Sequence, residues 1–142
     1  MTNEKIKFLG TIEVFKNGTL IDTVKNLVVN TGLNFFLNGA FNGITSPMGY
    51  IAVGSGVTAP APTNTALVTE IARQPLANTP GSQTIQLTAS FLAGVGTGTI
   101  AEAGIFNASS GGTMLSRALI GPYTKAANDT IVLVWTINAS AS

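Results

Sequence analysis

The stretch "IKFLGTIEVFKNGTLIDTVK" limits the possible folds more than any other. Ile6, Phe8, Gly10, Ile12 and Val14 share one parity, while Lys5, Lys7, Thr11 and Glu13 share the other. A period of two over so many residues predicts a strand with one buried face. It runs into Asn17-Gly18, the dipeptide best suited to the two positive-φ positions of a type I′ turn, so "TLIDTVKNLVV" is the predicted partner strand. A hairpin alone is barely stable in water. The rest of the chain must therefore cover its apolar face with more strands.

Strand signals do return, at intervals of about ten residues, with Gly, Pro and Asn turns between them. "YIAVG" is a short strand whose unbroken apolar run predicts burial on both faces or a barrel-like interior. "SQTIQLTASF" places Ile85, Leu87, Ala89 and Phe91 on one face, and Thr84, Gln86, Thr88 and Ser90 on the other. "TIAEAGIFN", "MLSRALI" and "IVLVWTIN" follow, with "AGVGTGT", "ASSGGT" and "GPYTKAANDT" as connections. The expectation is an all-β chain, an antiparallel β-sandwich or jelly-roll-like barrel of about eight strands with one short helix. Its 142 residues show no break in composition and read as a single domain, residues 1–142.

The helix belongs to "NTGLNFFLNGAFNG". Leu33, Phe36 and Leu37 fall at helical spacing, Thr31 or Asn30 is placed to cap the start, and Gly39 to end it. "FNGITSPMG" then reads as a surface loop. Gly54, Gly56, Pro60 and Pro62 forbid regular structure after "YIAVG". Over residues 66–72 a helical turn is expected, against the β-branched Val68, Thr69 and Ile71, and then a strand over residues 73–76. The loop "GVTAPAPTNT" has reduced freedom because proline fixes φ. It is a candidate semi-rigid contact arm or lid, with an ordinary surface connection as the alternative.

Charge is sparse, at 9% of residues against roughly a quarter in ordinary domains. Solubility must rest on Thr, Ser, Asn and Gly, and a nearly neutral surface favours association. The net charge is +1, and the basic residues are spread along the chain, not gathered on a stripe that could neutralise several phosphates. Nucleic acid is not an expected partner. There is no cysteine, hence no disulfide framework. "MTNEKIKFLG" lacks the pattern of a secretory signal, and no window approaches the roughly 18 continuous apolar residues of a membrane span. The expectation is a chain made in a cytoplasm that does not cross a membrane by itself. The N-x-[ST] triplets at Asn17, Asn107, Asn128 and Asn138 would matter only after secretion.

Candidates for chemistry are few. The sequence has no His and no Cys, which removes the commonest general base and every thiol nucleophile. Asp22, Glu70, Glu102 and Asp129 stand singly on different predicted elements, whereas a glycosidase needs two carboxylates across one cleft. "GVGTGT", residues 94–99, lacks the spacing and the lysine of a phosphate loop and reads as a flexible hairpin connection. "NDT", residues 128–130, supplies one carboxylate where calcium wants several. Tyr50, Tyr123 or Trp135 would be the stacking platform of a carbohydrate-binding module, although the parity of Trp135 with Ile131 and Leu133 favours core packing. Glu102 and Arg117 fall on neighbouring predicted strands and are expected to pair across the ladder. The expectation is a protein that is not an enzyme, with no catalytic, cofactor-binding or metal residues and no cofactor.

Five segments in order, "NLVVNTGLNFF", "YIAVGSGVTAPAPTNTAL", an Arg-containing strand, "TIAEAGIFNASSGGTMLSRALIG" and "TKAANDTIVLVWTI", carry a resemblance. Together they are similar to a recurrent module of tailed-bacteriophage structural proteins, over about residues 26–138. Its landmarks are a Gly-x-Gly followed by T-A-P and T-x-L, an E-A-G-I-F strand, a G-G-T-x-L-x-R hairpin, and a closing strand through Trp135. The resemblance implies a virion component and brings no catalytic residues. A small free-standing module suits a capsid decoration or cement protein that clamps the major capsid protein lattice as a homotrimer. The localisation so implied is the virion, assembled in a host cytoplasm. A tail, baseplate or fibre-attachment protein is one alternative, and a carbohydrate-binding adhesin another.

The N-terminal hairpin, residues 1–25, lies mostly outside the resemblance and carries more than half of all charged residues. It is a candidate docking element through Lys5, Lys7, Glu13 and Lys16 and an exposed strand edge. On that view, deleting it abolishes capsid binding and leaves a folded remainder. On the alternative view it completes the sheet, because Ile6, Phe8, Ile12 and Val14 need a core.

Overall fold

The computed structural model describes residues 4–141. Strands β1 (Ile6–Lys16) and β2 (Thr19–Lys25) form the expected hairpin, with Asn17 and Gly18 at φ 50° and 84° in its turn. The chain continues through β3 (Leu27–Val28), α1 (Asn30–Asn42), β4 (Tyr50–Gly54), β5 (Glu70–Pro75) and β6 (Ala77–Pro80). It ends with β7 (Thr84–Phe91), β8 (Gly98–Phe106), β9 (Met114–Lys125) and β10 (Ile131–Ala141). Two antiparallel five-stranded sheets result, with strand orders β2-β1-β10-β7-β6 and β3-β9-β8-β4-β5.

The alternating sequence explains the layering. Ile12 and Val14 of β1, Leu87 and Phe91 of β7, and Leu133 and Trp135 of β10 turn inward from the first sheet. Ile51 and Val53 of β4, Ile105 of β8 and Leu115 of β9 meet them from the second. Trp135 is fully buried there, and its indole N–H finds Asn26 Oδ1 at 3.2 Å. The second sheet is covered on its other face too. Ala52, Phe106 and Met114, of opposite parity, form a second cluster with Val29 and Leu67. Hence "YIAVG" is apolar throughout, as its sequence predicts.

Several expectations are corrected in detail. There are ten strands where about eight are expected, because β6 and the β3 stub add short edge pairs. No helical turn forms before residue 70. Glu70–Pro75 instead pairs with β4, and cross-strand hydrogen bonding outweighs the weak helical preference of the segment. α1 is not capped by Thr31 or Asn30. Its N-cap is Val29, without a side-chain bond, because neighbours supply the acceptors: Pro62 O takes Asn30 N–H (2.8 Å) and Leu115 O takes Val29 N–H (3.1 Å). Thr31 Oγ1 donates to Met114 O. Gly39 does not end the helix, which runs on to Asn42 before Gly43 at φ 81°.

"GPYTKAANDT" is only partly a loop. β9 continues to Lys125 because a bulge lets the register step from Glu102↔Leu119 to Ile100↔Tyr123, and Gly121 and Pro122 sit inside it. "GVGTGT" is not a hairpin connection either, since it carries the chain from β7 in one sheet to β8 in the other.

The N-terminal hairpin is built into the sandwich. β1 pairs with β10 along Ile6–Lys16, and its turn is latched to the β9–β10 connection by Asn17 N–H to Thr130 O and Thr130 N–H to Asn17 Oδ1, both 2.9 Å.

Candidate functional site

Glu102 lies on the outer face of the second sheet with no solvent exposure, and both of its oxygens are engaged. Oε2 accepts N–H groups from Gly56 (2.7 Å) and Thr69 (2.8 Å), and Oε1 accepts from Val68 (2.9 Å) and from Arg117 Nε (3.0 Å). Arg117 Nη2 is also 3.0 Å from Oε1 but out of hydrogen-bonding alignment, so it contributes as a charge contact only. The guanidinium, itself fully buried, reaches Asn64 Oδ1 through Nη1 at 3.2 Å. Burial pushes the Glu102 carboxyl up, but the N–H groups of Thr69, Val68 and Gly56 together with Arg117 outweigh it and hold it below the usual range.

This clasp decides what the long loop is. Residues 55–69 form a strap across the outer face, pinned at both ends by one carboxylate. It is closed by Ser55 N–H to Thr69 O (2.9 Å), anchored by Leu67 in the second cluster, and tied to α1 through Pro62. The close approach requires glycine at both ends of "GSG". A Cβ on Gly56 would stand 2.4 Å from Glu102 Oε2, and one on Gly54 2.3 Å from Thr69 O. The candidate contact arm is thus fastened to the protein at both ends, while its tip, Val57–Ala59, is exposed.

A second fastening stands beside the first. Arg73 of β5 makes a two-pronged bond to Glu70, through Nη2 at 2.6 Å and Nε at 3.1 Å. Its Nη1 donates to the carbonyls of Ala108 and Gly111, both at 2.8 Å, and its guanidinium lies 3.9 Å from the centre of the Phe106 ring. It holds the β8–β9 turn down.

The structure separates the other candidate residues. Asp22 accepts the Tyr123 hydroxyl, tying edge strand β2 to β9 across the two sheets. Burial, then this bond, raises the Tyr123 pKa. Asp129 takes Asn17 Nδ2 (2.9 Å) and Ala126 N–H (2.8 Å), with Lys16 at 3.7 Å, so "NDT" is a turn latch. The Asn17 bond, then Ala126, holds the Asp129 carboxyl below its usual range. Among the described residues no three His, Cys, Asp or Glu side chains gather as a metal would need. Trp135 is buried in the core, Tyr50 packs on the second cluster and Tyr123 on the first, so the three do not form one stacking surface.

Sequence patterns missed the surroundings of α1. A largely apolar groove of about 470 Å³ opens between α1 and the end of the sandwich, lined by Phe8, Phe36, Met48, Ile85, Ile137 and others. Phe8 stacks on Phe36 with centroids 4.7 Å apart. On the helix itself Leu33, Leu37 and Phe41 form an i, i+4, i+8 ridge that faces solvent, 40%, 60% and 85% exposed. Helical spacing identified Leu33 and Leu37 as an apolar pair, but their exposure depends on which face the sandwich covers.

No protein-family model matches the chain, and no curated protein matches it either.

Proposed function

We propose that the protein is a non-enzymatic structural component of a tailed-phage virion, a capsid decoration or cement protein that binds the major capsid protein, as a homotrimer, by surface contact. The observation that carries this reading is where its landmark segments go. The Gly-x-Gly and T-x-L ends of the strap, the E-A-G-I-F strand and the G-G-T-x-L-x-R hairpin meet at one point, the Glu102–Arg117 clasp. Residues that recur in the module it resembles are thus occupied in holding a sandwich rigid. The acid among them has no solvent exposure. A rigid body of low charge with an exposed apolar ridge and groove gains by burying those surfaces against subunits, without desolvating unpaired ions.

Cryo-electron microscopy of the particle that carries the chain tests this. Density repeated between capsomers is the expected result. Density confined to the tail or vertices would make the protein an adaptor or fibre module, and absence from the particle would remove the virion reading altogether.

A further inference from the structure

Half of β1 has a hydrogen-bonded neighbour on one side only. β10 pairs with all of Ile6–Lys16, whereas β2 reaches only Thr11–Lys16. Gly10 O accepts the N–H of Asn26, which follows β2, and so points away from β10 (3.1 Å). In an antiparallel strand the N–H and C=O of one residue point the same way, and alternate residues point oppositely. Ile6 and Phe8 therefore turn both groups away from β10, to a side where no described residue bonds to them.

The side chains along this edge have a clear pattern. Ile6 is 71% exposed, and Phe8, on the same face, lines the apolar groove beside α1. Lys5 and Lys7 project from the opposite face, and Lys25, paired across from Thr11, shares that face. Among the described residues the ion pairs engage Lys16, Arg73 and Arg117, and none of these three lysines. A second copy of the chain added antiparallel here would crowd Lys5 and Lys7 against their own counterparts, and like charges across a ladder repel.

We infer that the open edge of β1, residues 6–10, takes up an extended segment of a partner protein as an added strand, apolar opposite Ile6 and Phe8 and acidic opposite Lys5 and Lys7. Backbone bonds supply affinity and the alternating side chains supply selectivity. The inference rests on the reading that the protein works by docking to another protein, and it names the chemistry of the docked segment.

The test is titration of the full chain with a blocked synthetic peptide of alternating valine and glutamate, followed by amide NMR and hydrogen exchange. The amides of Ile6 and Phe8 gain protection on binding, and a valine–lysine peptide gives none. Ile6→Pro removes one outward N–H while the β10 ladder keeps the bonds of Lys7 and Leu9, so it weakens binding by more than about fivefold at unchanged Tm. Lys7→Glu, which leaves the backbone intact, weakens it comparably. Unchanged affinity in both variants, or a peptide that protects no β1 amide, overturns the proposal. Self-association of the free chain that Ile6→Pro abolishes does so too, by giving the edge to a second copy. Peptide binding by a chain located in the tail would sink the capsid reading alone, and a chain on the shell that ignores the peptide would sink this proposal alone.

Discussion

Glu102 shows how a carboxylate can be buried without being a liability. Taking it out of water is costly, and the cost is offset only because three backbone donors and Arg117 surround it. Its pKa is lower folded than unfolded, so its contribution to stability is complete above the ordinary value of 4.5 and disappears as the pH falls through the lowered value. Glu102→Gln is expected to cost about 3 kcal/mol in urea unfolding at neutral pH, and its deficit against the parent should shrink in acid. A deficit that stays constant down to acid pH would show that the charge does not hold the strap. The pairing with Arg117 was legible, because the turn "ASSGGT" between two strand patterns puts the residues on neighbouring strands, where the register makes them diagonal neighbours, Glu102 opposite Leu119 and Arg117 opposite Gly104. The clasp was not, since Gly56, Val68 and Thr69 join it through backbone N–H groups that no side-chain pattern reveals. The burial of Lys125, whose Nζ donates to Leu92 O at 2.9 Å, was hidden for a related reason: its sequence looks like a loop, and only the bulge in β9 carries it into the structure.

Among the elements, α1 depends most on its neighbours. It has no side-chain cap and no charged residue at its first or last turn. Its start is fixed by carbonyls of β9 and of the strap, and Gly32 presses against β9 so closely that a Cβ would stand 2.2 Å from Leu115 O. Because the obstacle is backbone, Gly32→Ala should lift the helix and lower stability by about 1–3 kcal/mol, read as a fall in Tm, while the reverse change, Ala40→Gly on the exposed side, should cost about 1 kcal/mol or less. A Gly32→Ala chain that melts above the parent would mean that helix propensity matters more than docking. Element type followed the sequence wherever period-two alternation was long, as in β1, β7 and β10. It failed over residues 66–72, where helix-compatible composition lost to the Glu102 carboxylate at Val68 and Thr69 and to pairing with β4 from Glu70 on, partners the local sequence cannot name.

For the whole molecule, the two sheets are interleaved along the chain. The path enters the second sheet at β3, returns to the first at β6, crosses again at β8 and finishes in the first at β10. Removal of residues 1–25 therefore takes away two of the five strands of one sheet and opens the core at Ile12 and Val14. That truncation should lose cooperative urea unfolding by circular dichroism, so the expected folded remainder would not be available for binding tests. A cooperative transition in the truncated chain would show that the hairpin is a detachable element after all. Side-chain patterning identified the sandwich. It did not reveal which strands are adjacent, because inward-facing alternation looks the same in either sheet.

One pairing has a bearing on how the protein comes into being. Ile6 lies opposite Ala141, so of these ten strands the first to be made is matched along its whole length by the last. Until β10 is made, β1 has only β2 beside it. The first sheet can close only when translation of these residues is over, and its alternating Ile, Phe and Val side chains stay unsheltered until then.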